Sequence, residues 1–296
     1  MVRPRSSPML ALIGVTAIWG YTFVPVQKAV EIYPLFAFLA LRFGISTLTL
    51  APFAIGPLRH LPRAGYLAGG GAGLLLAGAY GLQTAGLELT TVSSTGFITG
   101  LYVVLTPLIA LVLFRTPVAA AAWAGVALSV TGLLMISGIP GGSAVGNALV
   151  LGNAVAQSLQ IVAMERFAPR YNARALTFLQ MLVSCVCFTV IAVSRGELSV
   201  PRDGSVWYAL IVTGVFAGAL GYLIATWVQS RATAARAAIV FTLEAPFAAL
   251  FGVVLLSERL GVIGWAGCTI MLVGIVLAEP AAAGALRRIV GRPASA

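Results

Sequence analysis

The chain has 296 residues, 60% of them hydrophobic and 9% charged, and its mean hydropathy is +1.01. No water-soluble domain of this length can hide that much apolar side chain in one core, so lipid must solvate the remainder. The 18 Lys and Arg against 8 Asp and Glu give a formal net charge of +10. These cations sit in short gaps between apolar runs, not in an arm or patch, which argues for membrane topology and against nucleic acid.

Along the chain, Met1 to Pro8 is basic and an apolar run follows, as in a signal peptide. The run continues from Met9 to about Ala29 without a small-residue cleavage site, which makes it a first helix. With Gly, Pro and charge clusters as breaks, the expected spans are 9–29, 35–56, 65–87, 92–114, 118–138, 144–164, 174–194, 205–228, 235–257 and 260–278. Each holds roughly 19–24 residues, which suits a hydrocarbon core of about 30 Å at 1.5 Å per residue. The predicted fold is an all-α integral membrane protein of ten transmembrane helices.

Orientation follows from the cations. One side of such a bundle collects Arg3, Arg5, Arg59, Arg63, Arg115, Arg166, Arg170, Arg174, Arg231, Arg236, Arg287, Arg288 and Arg292. The other has only Lys28, Arg195, Arg202 and Arg259, with Arg42 left inside the second span. The positive-inside rule then puts both termini in the cytoplasm, and the inner (plasma) membrane is the expected location. Miscounting by one helix would scramble this sorting from that point on.

The second half echoes the first. A shift of 138 places Gly14 on Gly152, Tyr33 on Tyr171 and Arg42 on Gln180. A shift of 142 places Tyr66 on Tyr208, Tyr80 on Tyr222, and the pair Gly125 and Gly132 on Gly267 and Gly274. Between them, a shift of 139 places Pro107 on Pro246. Five crossings per unit is an odd number, so the second unit enters from the opposite side: two inverted five-helix repeats. The expected organisation is a cytoplasmic N-terminus at 1–8, a first repeat at 9–140, a second at 141–279 and a basic cytoplasmic tail at 280–296. Duplication kept for packing alone is the bland alternative to a moving pair.

Within the spans, Glu244 is the acid farthest from a helix end, about nine residues or 13 Å into the ninth. An ionisable group at helix centre costs roughly 2.5–3.5 kcal/mol on insertion scales, so it should face protein or water. It is either a proton-coupling or amine-binding carboxyl, or a structural one tied to Arg42. Arg42, about 10 Å deep, can snorkel, pair with Glu244, or bind a substrate carboxylate. Pro25, Pro107 and Pro246 fall within spans 1, 4 and 9 and are expected to kink them.

The polar and aromatic set is Trp19, Phe23, Tyr80, Gln83, Tyr102, Gln157, Gln160, Tyr222 and Gln229. Trp19, Tyr80, Tyr102 and Tyr222 lie too deep for interface anchors, and a cavity would satisfy their polar atoms better than lipid. Gln83 shares a face with Tyr80, and Gln157 matches Trp19 under the 138 shift. The competing reading of each is plain helix packing.

Several features carry no chemistry. Cys185, Cys187 and Cys268 lie inside apolar runs as small hydrophobes, and neither a metal nor a cofactor is expected. Gly69-Gly70-Gly71-x-Gly73 lacks the strand and the Lys-Ser/Thr of a nucleotide loop, so close helix contact explains it better. His60 falls in a short loop.

Three stretches resemble the EamA-type ten-helix exporters of the drug/metabolite transporter superfamily over about Leu10 to Ala278. Ala17-Ile18-Trp19-Gly20-Tyr21-Thr22-Phe23 is similar to that family's first-helix Trp-Gly-x-x-Phe pattern, and Leu41-Arg42-Phe43 to its second-helix Arg-aromatic feature. Thr242-Leu243-Glu244-Ala245-Pro246-Phe247, followed by Leu256-Ser257-Glu258-Arg259-Leu260, resembles its late Glu-Pro and Gly-Glu-Arg-Leu signatures. Ala245 separates Glu244 from Pro246, Ser257 stands where Gly is usual, and the first half lacks the matching acid. Helix composition looks nearest to YddG-type amino-acid exporters.

The resemblance implies a secondary transporter exporting amino acids or similar metabolites by alternating access. A phosphorylated-sugar or nucleotide-sugar exchanger is the alternative, but such anions call for several intramembrane cations and only Arg42 qualifies. A membrane-embedded enzyme would need paired acids, metal ligands or a nucleophile with its base, which one histidine and one central acid do not supply. The expected partners are a small-molecule solute and the lipid bilayer, and the chain is expected to act as a monomer.

Overall fold

The computed structural model describes residues 7–87, 89–90, 92–115, 117–137, 143–256 and 261–278. The expected tail and the Leu256-Ser257-Glu258-Arg259-Leu260 signature, apart from the Leu256 backbone, lie outside them. Every regular element among the described residues is a helix. In order they are α1 (Ser7–Val30), α2 (Leu35–Arg59), α3 (Arg63–Leu87), α4 (Val92–Gly100), α5 (Tyr102–Phe114), α6 (Ala120–Ser137), α7 (Ala144–Phe167) and α8 (Ala173–Ser194). There follow α9 (Gly204–Ile211), a π-helical segment (Val212–Gly221), α10 (Tyr222–Gln229), α11 (Ala234–Phe241), α12 (Glu244–Leu256) and α13 (Val262–Ala278).

Among the described residues, seven stretches are long and apolar enough to cross a membrane: Leu10–Val30, Leu35–Arg59, Thr95–Phe114, Ala144–Phe167, Ala173–Ser194, Gly204–Gln229 and Ala234–Leu255. Ala120–Ile136 and Val262–Leu277 are apolar but shorter, and α3 is rich in glycine. Outward-facing side chains such as Leu48, Leu67, Val112 and Val190 remain open, an apolar surface that only lipid can cover. The helices begin where polar caps allow. Ser143, Asn172, Asp203 and Thr233 each accept the N–H of a residue two or three positions on. The Asp203 carboxyl takes both the hydroxyl and the N–H of Ser205, which holds it below the usual carboxylate range.

Packing between the halves is reciprocal. The hydroxyl of Ser46 on α2 donates to the Gly214 carbonyl of the π segment at 2.7 Å. Its mate under the 138 shift, Ser184 on α8, donates to the Gly73 carbonyl of α3 at 3.2 Å. Each serine thus crosses to the other half and meets a glycine at a comparable place. The α6–α13 contact behaves the same way. A Cβ placed on Gly132 would lie 2.6 Å from the Gly267 carbonyl oxygen, and one on Gly274 would lie 3.1 Å from the Gly125 carbonyl oxygen. The shift of 142 exchanges these two pairs. As residue number rises on α6 its partner's falls on α13, so the two helices run antiparallel, at a separation only glycine permits.

Three of the expected spans are interrupted. The helix over 92–114 breaks at Leu101 and the helix over 234–256 breaks at Thr242 and Leu243. At both places the bonding tightens by one residue: Leu101 N–H to Ile98, Leu243 N–H to Val240, Ala245 N–H to Thr242. The breaks precede Pro107 and Pro246 by different distances, and the first lies beside Gly100, so the prolines do not define them alike. They are offset by 141 to 142 residues, which is the shift that pairs Tyr80 with Tyr222. The third interruption is the π segment inside Gly204–Gln229. By contrast α1 runs continuously through Pro25.

Candidate functional site

Two of the breaks each start a new helix on a polar side chain. The first residue of α5 is Tyr102, and the first residue of α12 is Glu244, its counterpart under the 142 shift. Tyr102 is buried and Glu244 is half-buried. A carboxylate in the first turn of a helix also complements the partial positive charge there.

From Arg42 an aromatic chain runs towards this point. Arg42 on α2 is only 7% exposed. Its guanidinium carbon stands 5.3 Å from the Tyr80 ring centre and 5.8 Å from that of Phe43, within cation–π range. Its Nη2 donates to the Tyr80 hydroxyl over a long 3.5 Å, and its buried Nε finds no acceptor. The Tyr80 hydroxyl lies 3.3 Å from that of Tyr222. The Tyr222 ring is 5.2 Å from Trp19, and Trp19 is 5.4 Å from Phe241. Trp19 is fixed by its indole N–H, which donates to the Ala217 carbonyl of the π segment at 3.0 Å. Phe241 ends α11, three residues before Glu244. Four helices and the two sides of one break thus contribute to one row of rings with a cation at one end and an acid near the other.

A second polar group lies beside the first break. Thr99, the residue before Gly100, accepts from Gln83 at 3.1 Å and from Asn153 at 2.9 Å, which ties α3, α4 and α7 together. Gln160 on α7 donates to Gln180 on α8 at 2.7 Å, a fully buried pair. Gln157 is half-buried on α7 and takes no part in either set. The side chain of Phe23 lies outside the described residues. Phe241, Thr99 and Asn153 were not singled out from the sequence. Asn153, an amide in mid-span, was the one of these with a legible signal.

An ion pair with Glu244 was one of the roles expected for Arg42. Among the described residues the ion pair is Arg195 with Glu197 in a connecting loop, and none within 4.0 Å joins Arg42 to Glu244. The reason is positional: the guanidinium is held over Tyr80 and Phe43, whereas Glu244 heads a helix that packs against α1. Elsewhere, a surface cleft of about 560 Å³ between the ends of α5 and α7 is lined by Phe114, Arg115, Glu165, Arg166 and Arg170 among others. Its arginines belong to the cation-rich side.

An all-helical, lipid-facing bundle whose halves pack reciprocally, and whose broken helices meet at a polar aromatic centre, has the build of a multi-pass membrane transporter. Comparison with known proteins makes the assignment specific. The description of the EamA-like transporter family matches residues 6–138 and again residues 144–278. The chain belongs to that family. It is 30% identical over 271 residues to an uncharacterised transporter of Archaeoglobus fulgidus, covering 90% of this chain and 84% of that protein. A solved crystal structure shares the fold, with a TM-score of 0.80 over 95% of this chain and 100% of the other at 21% identity.

Proposed function

We propose that this protein exports amino acids or similar small metabolites across the inner (plasma) membrane by alternating access. On this reading the ten crossings are the seven apolar stretches, the two shorter ones and α3, arranged as inverted five-helix repeats with both termini in the cytoplasm. The observation that carries this reading is the pair of matched breaks at Leu101 and at Thr242–Leu243. Discontinuous helices at corresponding places in two repeats free backbone groups where a solute can use them, and they put hinges at the centre. Rocking one half against the other about the reciprocal α6–α13 contact would open the aromatic row first to one side and then to the other.

The row suits an amphipathic solute of modest size. Rings supply area, the few amides and hydroxyls supply orientation, and the two charged groups supply polarity. Glu244, half-buried at a helix start, is the group placed to couple a proton or an amine to that cycle. The test is uptake into proteoliposomes of a panel of labelled amino acids, with and without a pH gradient, alongside Glu244→Gln. Saturable uptake that the gradient drives and Glu244→Gln uncouples is the expected result. Saturable uptake of no amino acid would remove the substrate reading, and flux indifferent to gradient and substitution would remove the coupling.

A further inference from the structure

We propose that the cleft between the ends of α5 and α7 binds an anionic phospholipid: Arg115, Arg166 and Arg170 hold its phosphate, and the exposed apolar side of α5 takes an acyl chain. The lining shares no residue with the aromatic row, and the site does not depend on which solute crosses. Its volume of about 560 Å³ is in the range of sites for organic ligands and larger than a bare ion needs. Three of the lining residues are arginines and one, Glu165, is an acid, so the cleft carries a surplus of positive charge. Among the described residues no ion pair within 4.0 Å ties any of the three to an acid. Arg166 keeps its guanidinium carbon 5.9 Å from the Phe114 ring centre. Arg170 donates from Nη1 to the Arg166 carbonyl at 3.0 Å, which leaves most of its N–H donors open. The planar fork of a guanidinium meets phosphate oxygens in pairs.

Two features favour a lipid over a soluble anion. The first is the cap of α5. Arg115 has φ 53° and ψ 30°, the left-handed conformation, and its N–H bonds to the Ala110 carbonyl. Glycine or asparagine fills such a cap at less steric cost, and among the described residues Arg115 is the only non-glycine with positive φ. A strained cap kept for an arginine fixes a cation at the level where the apolar helix stops. The second feature is what lies below it. Leu108, Leu111 and Val112 are exposed at helical spacing on α5, and the exposed Leu113 and Phe114 carry that apolar surface into the cleft. A phosphate ion gains nothing from such a surface, whereas an acyl chain covers it. On the orientation proposed above, this end of α5 meets the cytoplasmic leaflet, where basic pockets between helices bind anionic head groups.

The test uses the full-length protein, delipidated in detergent, and native mass spectrometry with dioleoyl phosphatidylglycerol, dioleoyl phosphatidylcholine and inorganic phosphate as probes. The wild-type protein should bind phosphatidylglycerol about tenfold better than phosphatidylcholine, since the two differ in net charge, and inorganic phosphate should not displace it. Arg115→Asn, Arg166→Gln and Arg170→Gln combined should lose that preference, with Asn suiting the left-handed cap. Arg166→Gln alone, at an exposed position, should lower it several-fold and serves where the triple variant folds poorly. Arg59→Gln, Arg63→Gln and Arg231→Gln combined remove the same charge from the cation-rich side but outside the lining, and should keep the preference. Equal binding of the two lipids by the wild type overturns the site without any variant. So does a preference that survives in the folded cleft variant, or one lost equally in both triple variants, which would assign it to the charge of the whole face. Displacement by inorganic phosphate overturns the lipid and makes the cleft a site for a soluble anion.

Discussion

Arg42 in the first half and Gln180 in the second occupy the same place in the repeat, one turn before the serines that reach across to Gly214 and Gly73. Their helices pack alike, but their side chains do not live alike. Gln180 is sealed, donating to the Leu176 carbonyl of its own helix and accepting from Gln160. Arg42 is just as buried but short of partners, and it is drawn towards aromatic faces in place of an acid. Duplication accounts for the shared scaffold. The difference shows how a symmetric frame comes to hold one unanswered charge while its mate becomes a strut.

Several substitutions test that division of labour, beginning with the largest effect. Making the first half like the second with Arg42→Gln is expected to lower saturable flux about tenfold or more at equal folded amount. Its melting temperature in detergent should hold or rise, because an unpaired buried cation is removed. A loss of flux that merely tracks a loss of folded protein would put Arg42 in the scaffold after all.

Next comes the crossing of α6 and α13. Gly132→Ala and Gly267→Ala each press a methyl group to within 2.7 Å of a backbone carbonyl. Each should cost about 1–3 kcal/mol, the usual penalty of overpacking, in thermal unfolding followed by circular dichroism. Gly274→Ala, whose nearest backbone oxygen is 3.1 Å away, should cost less than either. Equal costs at all three would mean that the reciprocal contact is looser than drawn.

Gln180→Leu orphans the Gln160 amide and should destabilise by about 1–3 kcal/mol, with flux per folded molecule retained. A fall in flux like that of Arg42→Gln would erase the contrast between the halves. The smallest effects belong to Ser46→Ala and Ser184→Ala. Each should lose about 0.6 kcal/mol, the average for a hydrogen bond between membrane helices, and the two losses should be equal. A marked inequality would show that the halves are less alike than their packing.

The site was partly legible before any folding. Glu244, Arg42 and the pair Tyr80 and Tyr222 stand out because polar and ionisable groups in mid-span are expensive and must be placed. The breaks were not legible where they occur, since prolines attract attention and the tight turns lie ahead of them, at Leu101 and at Thr242–Leu243. Phe241 looks like any apolar residue in sequence, and only its 5.4 Å approach to Trp19 brings it into the row. Thr99 and Asn153, 54 residues apart, meet only when α4 lies against α7.

Composition and the spacing of apolar runs determined by themselves that this protein lives in a membrane, is helical and is built twice, because lipid leaves the backbone few choices and duplication leaves matched tyrosines and glycines. Which polar atoms end up answered was decided by the tertiary structure. Both Arg42 and Gln180 are dear to bury, and the sequence treats them as mates. Only the approach of Gln160 to one, and of aromatic faces to the other, separates a closed strut from an open charge.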